Sequence, residues 1–352
     1  MSKSPGKLLK KRRESCGCFS SPFGRQESHK VANLEADKNF GKKSKKDSEN
    51  SSEASFYTMN DDDTIGWIPG PKFEADTGFK MGESVPCGEP VCGKMSWTHA
   101  EHERFNIRTG PDYAKNGHKT SSLSALYEAV GMDVLKGDEV LSNVAPHLMF
   151  PSSPAYYDAG CNLPALLIVN AQLPLAMPSL FSSSETDPGW SIVGYFRIRQ
   201  QTVDWALKRG ESPPPAIEVF MRLLQRKYSD RSLSFKAIGM IHDLEKQNLP
   251  LMNLLTKYNG KPVLVTKSSQ FHFGTVPYPY LEIDYNVRQW SLLARTTLVQ
   301  LSGKLKHLTC HVGYLVEATE NSDLPERMLT VVTVHNVSVE NAKTIKFSQH
   351  TS

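Results

Sequence analysis

Short apolar runs of strand length dominate the chain from residue 97 onward. Some are nearly continuous, and others alternate, as in YFRIRQ (195–200), where Tyr195, Arg197 and Arg199 share one face and Phe196 and Ile198 share the other. The runs that predict strands are FNIR (105–108), ALLIVNAQL (165–173), YFRIRQ, FKAIGMI (235–241), PVLVT (262–266), YLEIDYNV (280–287), LTCHVGYLV (308–316) and LTVVTVHNV (329–337).

Two other stretches have the spacing of amphipathic helices. One follows the proline-rich SPPP (212–215), and the other lies in SLLARTTLVQL (291–301). Their apolar faces hold Ile217, Phe220, Met221, Leu224 and Tyr228 in the first and Leu293, Ala294, Thr297, Leu298 and Leu301 in the second. Many strands, few helices and irregular connections predict an α+β fold. We expect one domain with a curved, mostly antiparallel β-sheet and helices packed on one side, preceded by a disordered basic tail.

The basic tail is residues 1–60, which are rich in Lys, Ser, Asn and Glu and poor in large apolar side chains. This composition cannot bury enough surface to offset the entropy of ordering, so we expect disorder. The tail holds 13 Lys and Arg against 7 Asp and Glu, a net charge of +6, and the whole chain is +4, which leaves −2 for the remainder. Because the folded part is nearly neutral, we expect no nucleic-acid partner.

Composition also sets the other boundaries. We expect a Gly/Pro-rich linker or lead-in at 61–96, the folded domain at 97–340 and a flexible C-terminus at 341–352. The longest apolar segment, at 163–177, is interrupted by Asn170, Gln172 and Pro174, so we expect no transmembrane helix. Six cysteines in a chain of this length do not make a disulfide framework, which favours a reducing cytoplasmic compartment.

Four segments resemble, in the same order, the C-terminal domain of the plant ENHANCED DISEASE RESISTANCE 2 family, present here as a stand-alone domain. They are WTHAEHERFNIRTGPDY (97–113), YFRIRQQTVDWALK (195–208), YLEIDYNV (280–287) and GYLVEATENSDLPERML (313–329). The resemblance covers residues 97–337. Its motif residues are Trp97, Phe105, Arg108, Gly110, Pro111, Tyr113, Phe196, Arg197, Trp205, Glu282, Asp284, Pro325, Glu326 and Arg327.

The resemblance implies a regulatory domain without enzymatic activity. In the plant proteins this domain follows a pleckstrin-homology domain and a lipid-binding START domain, and the proteins act at membranes as negative regulators of defence. Only the basic tail and lead-in precede Trp97 here, so membrane binding by those modules is not carried over. This chain also has Arg288, Gln289 and Trp290 where the family continues with small residues.

One pair of carboxylates suggests acid/base catalysis. Glu282 and Asp284 are two residues apart on a predicted strand, so their side chains share a face about 7 Å apart. One hypothesis is the acid/base pair of a hydrolase. The alternative is a structural face on which the carboxylates pair with Arg197 and Arg199.

Four cations are candidates for binding a lipid head group. Arg108, Lys115, Arg197 and Arg199 could line a basic mouth, because arginine offers a planar fork that matches phosphate oxygens. The alternative is that these side chains are solvated or salt-bridged.

Two further motifs have structural interpretations. Cys87, Cys92, His99 and His102 are spaced C-x4-C-x6-H-x2-H, outside the closed zinc patterns, so we expect free thiols on a surface loop, no metal and no cofactor. In the PERM motif (325–328) we expect Asp323 to cap a turn that Pro325 enters, with Glu326 at a helix N-terminus.

The stretch KLLKKRRESCGCF (7–19) is a candidate membrane address. Four consecutive basic residues precede Cys16 and Cys18, which are acylation candidates, and an acyl chain with a polybasic patch gives stable attachment. The alternatives are a nuclear address, which we favour less, and no address.

The leading hypothesis is a non-catalytic regulatory module that binds lipid or works at a membrane surface, with anionic phospholipid as its partner. One alternative is an adaptor with unknown protein partners, whose tail is phosphorylated within KKSKKDSENSS (42–52), and the other is a hydrolase. An apolar pocket under the sheet, with Arg108 or Arg197 at its mouth, would favour lipid binding, whereas a filled core would favour the adaptor.

Overall fold

The computed structural model describes residues 66–73, 79–152, 161–177, 189–225 and 234–346. The expectations made for the basic tail, including Lys10 to Arg13, Cys16 and Cys18, lie outside the described residues, as does Tyr228.

The described elements are named here in chain order. The strands are β1 (Trp67–Pro69), β2 (Phe79–Lys80), β3 (Ser96–His99), β4 (Asn106–Arg108), β5 (Lys119–Ser121), β6 (Tyr127–Gly137), β7 (Leu148–Pro151), β8 (Leu166–Pro174), β9 (Gly189–Ile198), β10 (Phe235–Ile241), β11 (Pro262–Leu264), β12 (Ser269–Gly274), β13 (Tyr280–Asn286), β14 (Thr309–Val316), β15 (Thr330–His335) and β16 (Lys343–Thr344). The helices are α1 (Tyr113–Asn116), α2 (Gln200–Ala206), α3 (Pro215–Gln225), α4 (Met252–Tyr258) and α5 (Leu292–Leu305).

A six-stranded sheet in the order β12-β13-β8-β9-β6-β16 forms the centre of the domain. Strand β13 pairs with β8, and β6 with β16, in parallel, whereas the other ladders are antiparallel. The sheet is buried on both faces, because Leu281 and Ile283 enter the main core while Tyr280 enters a second core. This burial explains why its central strands are nearly continuous apolar runs.

A five-stranded antiparallel sheet in the order β11-β10-β14-β15-β3 shares the main core with the first sheet. Leu167 and Ile283 come from the six-stranded sheet, and Tyr314 and Val332 come from the five-stranded sheet. Two small sheets, β1-β7-β2 and β4-β5, complete the strands of the described residues. The predicted α+β class with mostly antiparallel pairing is confirmed, and its strands divide between these sheets.

Both predicted helices are present. Helix α3 buries Ile217, Val219 and Phe220. The Phe220 ring packs edge-on against the Tyr127 ring, with 6.0 Å between the ring centres. Helix α5 lies against β8 but has no fully buried residue. Helices α2 and α4 were not among the predicted elements, because seven residues give a short periodic pattern.

Strand β6 was not predicted either, although it has 11 residues. Glu128, Gly131 and Asp133 interrupt its apolar pattern. Gly131 is needed for packing, because a Cβ atom there would stand 3.2 Å from the Cα of Gly82. Sequence patterns do not show such an approach of two segments far apart in the chain.

Residues 79–96 of the Gly/Pro-rich lead-in pack against the domain. Met81 and Val85 are buried, and the backbone N–H groups of Gly82 and Ser84 donate to the buried Asp133 carboxylate at 2.9 and 2.7 Å. These bonds fasten residues 82–84 to β6.

The start of the predicted flexible C-terminus also belongs to the domain, which corrects the boundary at 340. Lys343 and Thr344 pair with β6, and Ile345 is buried in the second core. The sequence did not indicate this pairing, because a strand of two residues is too short to give a strand pattern. Within the described ranges, no helix is both long and apolar enough to cross a bilayer.

Candidate functional site

An apolar cavity of about 310 Å³ lies between the two large sheets and α5. Ala171 and Ile192 line it from the six-stranded sheet, Gly239 and Val312 from the five-stranded sheet, and Leu301 from α5. The volume is at the lower end of the range of about 300 to 1,000 Å³ in which pockets enclose drug-sized ligands. The main core is therefore not filled at this end.

Small residues on the inner strand faces create the space. Ala171 and Ala237 line the cavity from opposite sheets, and a Cβ atom on Gly239 would meet nothing within 4 Å. At the α5 end, Trp290 lines the cavity and donates its indole N–H to the Ser268 hydroxyl at 2.9 Å.

The cavity interior is uncharged. Burial raises the pKa of the Cys310 thiol to about 12, and burial raises the pKa of the Tyr285 hydroxyl to about 12, so both groups are neutral. Among the lining residues in the described part of the chain, Lys261 alone is charged, and it is exposed. The lining suits an apolar ligand.

Three exposed lining residues, Gly239, Tyr258 and Lys261, define what we call the cavity mouth. They are adjacent, because the Lys261 N–H donates to the Tyr258 carbonyl at 3.0 Å and the Gly260 N–H donates to the Gly239 carbonyl at 2.9 Å. The ammonium of Lys257 lies 5.5 Å from the centre of the Tyr258 ring. The mouth thus combines an exposed aromatic ring with two cations.

The four cations proposed from the sequence are placed elsewhere, which corrects that expectation. None of them lines the cavity, and Arg197 pairs with Glu128 on the neighbouring strand. Lys115 is exposed and pairs with Asp112. Arg199 precedes α2. The strand pattern did not give the cross-strand partner of Arg197.

The remaining cation, Arg108, joins the two longest family segments. Its Nε donates to the buried Glu326 carboxylate at 2.8 Å, and its Nη2 donates to the Ala318 carbonyl at 2.6 Å. Glu317 and Lys236 complete a balanced group of two cations and two carboxylates, with Lys236 2.8 Å from Glu317. The half-buried Arg108 is therefore neutralised by protein groups, which disfavours a head-group role.

Other motif residues also join the motif segments to one another. A Cβ atom on Gly110 would stand 3.1 Å from the Leu324 side chain, so the first and last segments touch. The Arg327 guanidinium lies 4.8 Å from the Trp205 ring centre, which joins the second segment. The four charged groups of Arg108, Lys236, Glu317 and Glu326, together with the Gly110 and Arg327 contacts, form what we call the motif network.

Asp323 caps a turn, as predicted, but this turn precedes Pro325, and Glu326 has a different role from the predicted one. Asp323 lies in a short 3-10 turn, where it accepts the backbone N–H of Thr319 at 3.0 Å and pairs with Arg222. No helix begins at Pro325, and Glu326 binds Arg108 instead of a helix terminus. The local pattern did not give the role of Glu326, because its partner Arg108 is 218 residues away in the sequence.

Glu282 and Asp284 share one strand face, as predicted, but they do not pair with Arg197 or Arg199 in the way expected. They hold the loop before β7. The backbone N–H groups of Val144 and Ala145 donate to Glu282 at 2.7 and 2.9 Å, and the backbone N–H of Asn143 donates to Asp284 at 2.8 Å.

The two carboxyl groups are almost completely inaccessible, at 0% and 2% exposure. Burial, and next the Asp284 charge, raise the pKa of Glu282 well above its usual value. Burial acts in the same direction on Asp284, but hydrogen bonds from groups that include His272 and Ser142 outweigh it and lower its pKa. Glu282 is therefore the protonated member, and the pair has a structural use that leaves little access for a substrate.

The four possible zinc ligands do not form a cluster. No group of three or more His, Cys, Asp and Glu side chains suited to a metal ion occurs in the described ranges. Cys87 is half-buried and Cys92 is exposed, and neither is in a disulfide.

The sequence analysis missed the cavity residues. Ala237 and Gly239 alternate on one face of FKAIGMI, and such small residues in an apolar strand are a signal for a gap in packing. The signal gains meaning only once the facing sheet and α5 are known.

The motif network and the cavity define an α+β domain whose shared motifs stabilise the scaffold around an apolar chamber. The family model for Protein ENHANCED DISEASE RESISTANCE 2, C-terminal, matches residues 97–338, and the chain belongs to this family. Neither a curated protein nor a solved structure matches the chain.

The motif network should be a major source of stability. Replacing the buried carboxylate in Glu326→Gln leaves Arg108 and Lys236 with excess positive charge, and breaking such a pair costs about 3 kcal/mol. Urea unfolding of the full chain measures this loss. The control Lys115→Gln removes an exposed cation just after the first motif segment. It should change the free energy of unfolding by less than about 0.5 kcal/mol. Equal effects of the two changes would contradict the assignment.

The buried carboxyl pair should give stability a distinctive pH dependence. Because the native pKa of Glu282 is raised, its protonated form contributes stability that is present below the unfolded pKa and is lost as pH rises towards the native pKa. In this window, from about pH 5 upward, wild type should lose about 1.4 kcal/mol per pH unit relative to Glu282→Gln. Urea unfolding at successive pH values tests this, and parallel pH profiles of the two proteins would refute it.

Proposed function

We propose that this chain is a non-catalytic regulatory module that binds an apolar lipid in the cavity and works at a membrane surface. The observation that carries the proposal is the apolar cavity of about 310 Å³ between the two sheets and α5. The cavity is open at its mouth and its lining is mostly apolar, so an apolar molecule bound there would remove apolar surface from water, which favours binding.

Helix α5 is suited to admit such a molecule. It presents Leu298, Leu301 and Leu305 to the cavity, yet none of its 14 residues is fully buried. At its N-terminal end Leu292 and Leu293 are 46% and 60% exposed. A helix with few buried contacts separates from its sheet at lower free energy than a core element does.

The cavity mouth supports membrane association. Tyrosine and lysine are suited to the interface of a bilayer, because each has an apolar body and a polar end, and Tyr258 is 52% exposed there. Lys257 and Lys261 would attract anionic phospholipid. The acylation candidates Cys16 and Cys18 would add a second membrane signal, and their role stays a prediction.

The absence of catalysis is part of the proposal. The carboxylates of the hydrolase hypothesis accept backbone hydrogen bonds and are inaccessible, which supports a structural role. The adaptor hypothesis rests on tail residues outside the described ranges.

Ligand binding is tested by mass spectrometry of molecules that co-purify with the full chain. Gly239→Leu adds a side chain in the open space at the cavity mouth, so the protein should fold but retain less ligand. The control Gly303→Leu adds the same side chain at an exposed helical position outside the cavity and should keep it. An empty wild-type protein, or equal ligand content in all three, would contradict the proposal.

Membrane association is tested by flotation with liposomes that contain phosphatidylserine. Replacing Lys257 and Lys261 with Gln removes about 1 kcal/mol of attraction each, so binding should weaken roughly 30-fold. The tail is the same in all variants and does not affect the comparison. Replacing the exposed Lys72 and Lys346 with Gln, away from the mouth, is the charge-matched control. An equal loss in both double variants would show that only net charge matters.

A further inference from the structure

Two tyrosines bridge the gap between the large sheets beside the cavity. Tyr285 is on β13 of the six-stranded sheet, Tyr314 is on β14 of the five-stranded sheet, and their hydroxyl oxygens lie 3.2 Å apart. Both residues line the cavity, and both are more than nine-tenths buried, at 7% and 6% exposure. They are thus a buried polar pair in a mainly apolar wall.

This pair has one more donor than the protein uses. Each hydroxyl carries one hydrogen, and only one of the two can lie between the oxygens. Within the described ranges, no protein group other than the partner hydroxyl is hydrogen-bonded to either oxygen. A buried donor left without an acceptor costs about 1 to 3 kcal/mol, so a ligand oxygen at this point would be strongly preferred to a hydrocarbon group.

The surroundings select a neutral ligand group. Burial raises the pKa of Tyr285 to about 12 and the pKa of Tyr314 well above its usual value, so both hydroxyls keep their protons. The aromatic rings of Phe196 and Phe235 pack on the Tyr314 ring, with 6.4 and 5.7 Å between ring centres. The charged lining residue Lys261 lies at the mouth and not beside the pair. An ionised group beside the pair would lose hydration without gaining a counter-charge.

We propose that the cavity takes a compact, neutral, apolar molecule with one acceptor oxygen, a hydroxyl or a carbonyl, and that the Tyr285–Tyr314 pair is its polar contact. This inference rests on the proposed function and adds the chemical class of the ligand. The oxygen could be carried by a single alkyl chain or by a fused-ring skeleton such as a sterol. The shared chemistry is an acceptor at one end of an apolar body.

The test compares two probes of equal size, 1-decanol and undecane, delivered to the full chain. Trp190 and Trp290 line the cavity, so their fluorescence reports binding. In the double variant Tyr285→Phe with Tyr314→Phe, decanol affinity should fall about tenfold while undecane affinity stays within twofold, because only decanol loses a hydrogen bond. Each single variant keeps one hydroxyl that can donate to the ligand and should lose less than threefold.

The control is Tyr127→Phe, which removes a buried tyrosine hydroxyl that donates to the Pro164 carbonyl and is outside the cavity lining. It should leave both affinities unchanged. Energy transfer from the tryptophans to dehydroergosterol, a fluorescent sterol, gives the fused-ring arm. Saturable transfer that the double variant weakens supports the fused-ring form, and the same loss with decanol alone supports the single-chain form.

Two results would overturn the inference in distinguishable ways. In the first, wild type binds both probes while the double variant changes their affinities equally or not at all. In that case the cavity binds apolar ligands, but the tyrosine pair does not form a hydrogen bond with the ligand oxygen. The proposed function would then stand. If wild type binds no probe and co-purifies with no ligand, both the inference and the proposed function fail.

Discussion

The architecture depends on how two large sheets enclose a core that their own side chains do not fill. At one end, aromatic rings close the space, with Phe235 stacked on Tyr314 at 5.7 Å. At the other end, Ala171, Ala237 and Gly239 leave a gap that α5 covers with leucines. Protein interiors are ordinarily packed like organic crystals, so a gap of this size between sheets needs content or a rigid frame. The site follows from this constraint, since the gap has an uncharged interior and a cationic mouth.

The frame is supplied by the residues of the motif network. Arg108 and Glu326 join the first and last motif segments, while Arg327 and Trp205 bring in the second. The buried pair Glu282 and Asp284 fixes the loop before β7 to the central sheet. These motif residues thus stabilise the scaffold, whereas the cavity is lined mainly by ordinary strand residues.

The sequence predicted those features that depend on local periodicity. Alternation along the strand predicted that the side chains of Glu282 and Ile283 point to opposite faces of the sheet. Helical spacing identified α3 and α5. It did not give the partner of Arg197, because the register between β6 and β9 decides that Glu128 stands opposite. It did not give β6, because Asp133 breaks the apolar pattern and is satisfied only by distant backbone groups. The cavity is a still less local property, since it depends on missing side-chain volume on two sheets at once.

The central claim is that the space beneath α5 is a ligand chamber and not a packing defect that closes. A crystal structure of the full chain, purified without denaturation or detergent, tests this most directly. The account predicts continuous non-protein density in the cavity, ending beside the hydroxyls of Tyr285 and Tyr314. A structure in which α5 has moved inward, with Leu298 and Leu301 filling the space between the sheets, would contradict it.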